Sequence, residues 1–127
     1  MPYSIEDRLD QVVARAWGTL SAEDIRELVE EFSRQPDRLR IPALVDLGEV
    51  DDHSPISSGL VREVAGARCW SLARASMAIV ARADALFGMA RMLENTLPME
   101  AAAEDRLRVF RRRREAREFL ESTRAEG

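Results

Sequence analysis

The chain has 127 residues, of which 46% are apolar and 33% charged, with a formal net charge of -4, and this length fits one compact domain over residues 1–127. All 19 basic residues are arginine, which excludes a Schiff-base lysine and the lysine of a phosphate-binding loop. The one His and one Cys exclude the usual zinc and iron sites, so we expect no catalytic residues, no metal, no cofactor and a protein that is not an enzyme.

Two short strands over 3–6 and 11–17 open the predicted fold, and Gly18 is expected to end the second one. Ser21 lies three residues before Asp24, a spacing typical of a helix N-terminus. Apolar side chains then recur at i, i+3, i+4 and i+7, which predicts an amphipathic helix. These side chains are Ile25, Leu28, Val29 and Phe32.

The rest of the chain alternates strands with helices. A nearly continuous apolar run over 40–47 predicts a central strand that is covered on both faces, and a polar loop is expected over 48–58. The remaining predicted elements are helices over 58–75, 84–97 and 112–123 and strands over 77–81 and 105–110. This alternation predicts an α/β fold with a five-stranded mixed sheet, partly parallel after the opening hairpin, and four helices.

Three stretches carry a resemblance to a known family. They are the strand Ala43–Leu47, the run Phe87–Met92 followed by Glu94, and the ending Val109–Leu120. With the order β-β-α-β-α-β-α-β-α, they resemble the SpoIIAA-like family over nearly the whole chain. That family belongs with STAS domains and resembles the CRAL-TRIO lipid-exchange fold. The resemblance implies this topology and a small regulatory or ligand-binding module, since the family is largely of unassigned function.

The stretch Ile56–Leu60 resembles a phosphorylation motif. STAS anti-anti-sigma proteins carry Asp-Ser-Ser-Gly-Leu at the start of the helix after the central strand, and a partner kinase phosphorylates the first Ser. The resemblance implies that Ser57 is the matching site. Ile56 replaces the Asp, and the loop from Asp46 is two residues longer than in the usual pattern. The alternative interpretation is that Ser57 only caps a helix.

The helix predicted over 84–97 has a wide apolar face, to which Met89, Met92 and Leu93 contribute. A glycine inside a helix is unfavourable, so Gly88 indicates close packing against a neighbouring helix or a ligand. The face is interpreted either as core and dimer interface, which predicts a homodimer, or as the wall of a ligand groove in which an arginine orients an anionic head group. The candidate groove residues are Leu86, Phe87, Ala90, Arg91, Leu72 and Arg68.

Charge is unevenly distributed. Residues 1–60 carry 13 acids against 6 Arg, whereas residues 61–127 carry 10 acids against 13 Arg. The run Arg111–Arg114 resembles a weak anionic-lipid patch, although a solvated helix surface is the favoured interpretation. With a pI near 5.1 and no reading motif, no nucleic-acid partner is expected. A metal site at Asp51, Asp52 and His53 was weighed against a solvated loop, which is favoured.

The leading functional hypothesis is a non-enzymatic module that binds an apolar or lipid-like ligand, with peripheral membrane contact. The alternative is a protein-protein switch that phosphorylation of Ser57 controls through a protein partner. The acidic residues Glu6, Asp7 and Asp10 do not fit a signal peptide, and no apolar run reaches membrane-spanning length. A cytoplasmic location is therefore expected.

Overall fold

The computed structural model describes residues 3–8, 11–34, 41–52, 56–66, 76–96 and 107–126. These residues form five strands and four helices. The strands are β1 (Tyr3–Asp7), β2 (Val12–Thr19), β3 (Ala43–Asp52), β4 (Met77–Val80) and β5 (Leu107–Phe110). The helices are α1 (Ala22–Arg34), α2 (Ser58–Ala65), α3 (Asp84–Thr96) and α4 (Arg113–Glu126). Among them is no helix with the length and apolar character needed to cross a membrane.

The five strands form one mixed sheet in the order β1-β2-β3-β4-β5. β1 is antiparallel to β2, and each later strand is parallel to its neighbour. Right-handed crossovers between consecutive parallel strands place the connecting helices on one face of the sheet. Accordingly α1, α2 and α3 share the three-helix face, and α4 covers the opposite one, the α4 face. The predicted five-stranded mixed sheet with four helices is confirmed.

The central strands β2, β3 and β4 contribute side chains alternately to two cores. On the α4 face, a small cluster packs strand residues against Ala116 and Leu120 of α4. The strand residues of this cluster are Val13, Leu44, Ala78 and Val80. The alternate positions of the strands, such as Ala14, Val45 and Ile79, belong to a larger cluster under the three helices. The two clusters hold the sheet between two layers of helix.

The central strands are longer than predicted. β2 continues through Gly18, whose φ of +65° suits glycine, and its pairing with β3 shifts register on either side of this residue. β3 continues to Asp52, so the predicted polar loop was wrong over residues 48–52. The reason is that pairing with β2 continues beyond the apolar run, and Val50 remains buried there.

The helix starts agree with their capping signals. Ser21 and Asp24 exchange two side-chain to backbone hydrogen bonds, Ser21 N to Asp24 Oδ2 at 3.0 Å and Asp24 N to Ser21 Oγ at 3.1 Å. α2 ends earlier than predicted, because Gly66 forms its C-cap and donates its N–H to carbonyls of the last turn. The remainder of that predicted helix, 67–75, lies outside the described residues.

Candidate apolar ligand site

Three helices present apolar stripes to the same region of the sheet. Capping hydrogen bonds of Ser21 and Ser57 fix where α1 and α2 begin. The starting residue of a helix in turn determines which of its side chains point toward the sheet. The cavity-lining residues of α1 and α2 are Ile25, Leu28, Val29, Leu60, Val61 and Val64. α3 contributes Leu86, Met89, Ala90 and Leu93. These side chains lie on one face of the helix, because Ala90 follows Leu86 by four residues and Leu93 follows it by seven.

The sheet closes the cavity from below. Val45 and Leu47 of β3 and Met77 and Ile79 of β4 form its floor. Leu20 and Ile56 complete the lining from the segments that follow β2 and precede α2. In the register of these parallel strands Val45 lies beside Ile79, and Leu47 and Met77 extend the floor to either side under the three helices.

The cavity has a volume of about 130 Å³, and every described residue that lines it is apolar. Well-packed interiors contain few voids larger than a water molecule. An apolar cavity of about 150 Å³ in another protein stays dry and binds benzene. The space between the three helices is partly open to solvent, so an apolar guest would remove apolar lining from water.

Charged groups surround the three-helix face, and among the described residues no whole polar or charged side chain is buried. One carboxylate oxygen, Glu94 Oε2 of α3, is buried and has no hydrogen-bond partner in the described part of the chain. Arg26 of α1 forms an ion pair with Glu63 of α2, and this hydrogen bond lowers the pKa of the Glu63 carboxyl. Tyr3 is buried at the β1 edge, where burial and then Glu27 raise the pKa of its phenol. Its hydroxyl donates a long hydrogen bond of 3.5 Å to Glu27.

The predicted groove residues fall into different surroundings. Leu86 and Ala90 are buried and line the cavity. Phe87 packs against the core from its edge and is not among the lining residues; the Arg111 guanidinium lies 4.3 Å from the centre of its ring and 2.6 Å from Asp84 Oδ1. Arg91 is exposed, 3.8 Å from Glu94 Oε2. Leu72 and Arg68 lie outside the described residues.

The other predicted positions are on the surface. Ser57 is exposed and caps α2, its Oγ accepting the Leu60 N–H at 3.2 Å. Asp51 and Asp52 are exposed at the end of β3, and His53 lies outside the described residues. In the part of the chain that the structure describes, no group of three His, Cys, Asp or Glu is placed to hold a metal ion.

Gly88 does not make the close contact expected from the sequence. It is exposed on α3, and apart from its own helix no described residue has an atom within 4 Å of the position where a Cβ would be. The expected packing against a neighbouring helix was therefore wrong for the described residues, because Gly88 lies on the outward side of the helix while Leu86 and Ala90 point inward. The alternative, packing against a ligand, stays a prediction.

Sequence reasoning assigned the groove to two helices and missed the third wall. Ile25, Leu28 and Val29 of α1 line the cavity, although the sequence had identified their stripe. The signal that would have found them is topological: consecutive parallel strands place α1 on the same face as α2 and α3. The floor residues of β3 and β4 follow from the same alternation that defines the core.

Comparisons with known proteins give the fold. No protein-family model matches the chain, and no curated protein does. One solved structure, an uncharacterised DUF3478-family protein with a SpoIIAA-like fold from Shewanella loihica PV-4, is similar to it with a TM-score of 0.56 and 20% sequence identity. The similarity covers 93% of this chain and 91% of that one. With the sheet order and helix placement described above, the chain has the SpoIIAA-like fold.

Proposed function

We propose that the protein is a non-enzymatic binding module whose cavity holds a small apolar ligand or the apolar end of an amphipathic one. The observation that carries this proposal is the cavity of about 130 Å³ with a wholly apolar lining between the sheet and three helices. A lining without hydrogen-bond donors or acceptors favours an apolar guest, since a polar one would lose its bonds to water on entry.

The cavity size limits the guest. A space of this volume is suited to a ring of benzene size or a short stretch of hydrocarbon chain. An amphipathic ligand would therefore insert one end and leave its polar part outside. If that ligand is a membrane lipid, the protein would contact the membrane from its surface, and its affinity would depend on the acyl chain.

The test compares two substitutions on one helix. Ala90→Leu places extra carbon in the cavity, whereas Ala85→Leu adds the same carbon on the exposed side of α3. Benzene and indole are titrated against each protein by solution NMR, and native mass spectrometry reports molecules retained from purification. We expect saturable binding by the unaltered protein and Ala85→Leu, and its loss in Ala90→Leu. Equal behaviour of all three proteins toward both probes would contradict the proposal.

A vesicle-binding experiment distinguishes a lipid ligand from a ligand that is free in solution. Flotation with phosphatidylcholine vesicles is measured for the same three proteins. If a lipid acyl chain is the guest, vesicle binding is lost in Ala90→Leu and kept in Ala85→Leu. If a free molecule is the guest, none of the three proteins floats, whereas the probes still bind to the unaltered protein and to Ala85→Leu.

A second candidate is a protein-protein switch controlled at Ser57. The observation that favours it is that Ser57 is exposed at the N-terminus of α2, whose first turn carries no acidic residue. A phosphate there would interact with the free N–H groups and the helix dipole, and α2 supplies three of the cavity-lining residues.

Ser57→Asp tests this switch, because aspartate adds charge and still caps a helix, whereas Ser57→Ala removes the cap alone. Oligomeric state and probe binding are measured for both variants. We expect Ser57→Asp to change either property relative to Ser57→Ala, after matching both for stability. Identical behaviour of the two variants would count against the switch.

A further inference from the structure

Four charged side chains meet on the α4 face at the carboxyl ends of the parallel strands. Asp46 of β3 lies beside Arg15 of β2 in register. Arg82 follows β4, two residues after Val80, and Arg113 begins α4. In open α/β sheets, the carboxyl ends of the strands are where ligands usually bind. The cavity described above lies on the other face, so this group is independent of it.

Asp46 is nearly buried, with 13% of its side chain exposed. Its carboxylate leaves part of the hydrogen-bonding capacity of the Arg113 guanidinium unused. Its Oδ1 accepts the Gly48 N–H at 2.9 Å. Its Oδ2 lies 3.8 Å from Arg113 Nη1, which is too long for a charge-assisted hydrogen bond. Arg113 Nε is buried and has no hydrogen-bond partner among the described residues.

Arg82 approaches the same carboxylate across Gly48. A Cβ placed on Gly48 would lie 3.0 Å from Asp46 Oδ1 and 3.2 Å from Arg82 Nε. The absence of a side chain at Gly48 therefore lets the two groups come together. Arg82 is exposed and makes no ion pair with the described residues.

The charges do not balance. Arg15 forms an ion pair with Glu49, with 2.9 Å between Arg15 Nη2 and Glu49 Oε1. The guanidinium groups that remain near Asp46 are those of Arg82 and Arg113. These groups together offer up to ten N–H donors in two planar forks, and one carboxylate cannot accept them all. The surplus is one positive charge, and a phosphate group, which carries negative charge on several acceptor oxygens, fits both the sign of that surplus and the fork geometry.

We propose that Arg82 and Arg113 form a binding site for a phosphate group, with the Asp46 carboxylate lying beside Arg113. The phosphate belongs either to a free small molecule or to a lipid head group. Arg82, which is exposed, makes the first contact, and Arg113 turns toward the ligand from the start of α4. The long separation between Arg113 and Asp46 leaves the guanidinium free to do so.

The experiment measures ³¹P line broadening of inorganic phosphate by the full chain, with chloride holding the ionic strength constant. Arg82→Gln and Arg113→Gln are expected to weaken binding by about tenfold or more each. Arg62→Gln removes the same charge from exposed α2 and is expected to change it by less than about twofold. Gly48→Ala keeps every charge but intrudes on Arg82, and we expect weaker binding from it too.

Vesicles of phosphatidylcholine with and without phosphatidic acid distinguish the two sources. Flotation that needs phosphatidic acid and is lost in Arg82→Gln assigns the site to a lipid head group; phosphate binding without flotation assigns it to a free ligand. No saturable binding to either probe, or equal losses in Arg82→Gln and Arg62→Gln, would overturn the proposal. If Arg113→Gln does not fold, Arg82→Gln and Gly48→Ala still decide the result.

Discussion

The two faces of the sheet are packed to different degrees. Under α4, Val13, Leu44, Val80 and Ala116 are each no more than 1% exposed. Under the other three helices, the residues around the open space of about 130 Å³ are less completely buried, with Val45 and Ala90 each 8% exposed. The difference indicates that the α4 face is the more tightly packed one and that the three-helix face has room for the proposed ligand.

The largest expected effect comes from shortening a leucine on each face. Leu44→Ala removes a fully buried side chain from the α4 face and should lower the free energy of unfolding by about 3–5 kcal/mol. Leu86→Ala only enlarges an existing cavity and should cost about 2–3 kcal/mol. Urea unfolding measures both values. A larger loss for Leu86→Ala would contradict the difference in packing.

Replacing a small residue by a large one should change the free energy of unfolding in opposite directions on the two faces. Ala116→Leu inserts carbon where Ala116 is fully buried and should destabilise the fold by about 1–3 kcal/mol through overpacking. Ala90→Leu places the same carbon beside the cavity, and we expect no loss or a gain of about 1 kcal/mol. Thermal and urea unfolding of the two variants test this pair. Equal destabilisation would mean that the cavity cannot take a leucine side chain.

A smaller effect is expected on the outside of the three-helix face. Gly88→Ala should stabilise the protein by about 0.5–1 kcal/mol, because alanine is a better helix former and its Cβ meets nothing within 4 Å. Ala85→Gly, at an exposed position on the same helix, should have the opposite effect. Urea midpoints measure both. Neither change should alter probe binding to the cavity, and a change in binding would place Gly88 closer to the site than described.

The smallest expected effect is a pH dependence at the β1 edge of the three-helix face. The pKa of Tyr3 is raised by its burial and by Glu27, Glu31 and Asp24, so folding favours the protonated phenol. The stability that this gives is complete below the unfolded value of about 10 and is lost as pH rises through the folded pKa.

The absence of lysine makes this dependence measurable. Arginine stays protonated up to about pH 12, so the basic side chains do not mask the titration of the single tyrosine. Absorbance at the phenolate band follows the single tyrosine, and urea midpoints of the unaltered protein and Tyr3→Phe follow stability. We expect the unaltered protein to lose more stability above pH 10. Parallel curves for the two proteins would contradict the assigned shift.

Local signals predicted the elements well. Ser21, Asp24 and the stripe that begins at Ile25 identify α1 without any tertiary information, and the capping hydrogen bonds confirm its start. The end of β3 escaped prediction because Gly48, Glu49, Asp51 and Asp52 have the composition of a loop. Only pairing with β2 across a register shift makes that segment a strand.

The candidate sites depend on contacts that no sequence window contains. The cavity is formed by residues from three helices and two strands, and its volume depends on how far the helices stand apart. The group around Asp46 brings together Arg82 and Arg113, which are far apart in sequence. The helical stripes of the cavity have a periodicity, from which Leu86 and Ala90 were predicted, whereas the wall formed by α1 and the floor were not. The group around Asp46 has neither a periodicity nor a motif and was not predicted.

The strand order has a consequence for how the chain acquires its structure during synthesis. Each strand from β2 onward pairs with the strand made just before it, so the sheet can be extended in the order of translation, with each crossover helix adding to one layer. Among the described residues, the helix that covers the opposite layer is α4, the last element to be made. We therefore expect a nascent chain paused before α4 to expose Leu44, Ala78 and Val80 and to present them to chaperones.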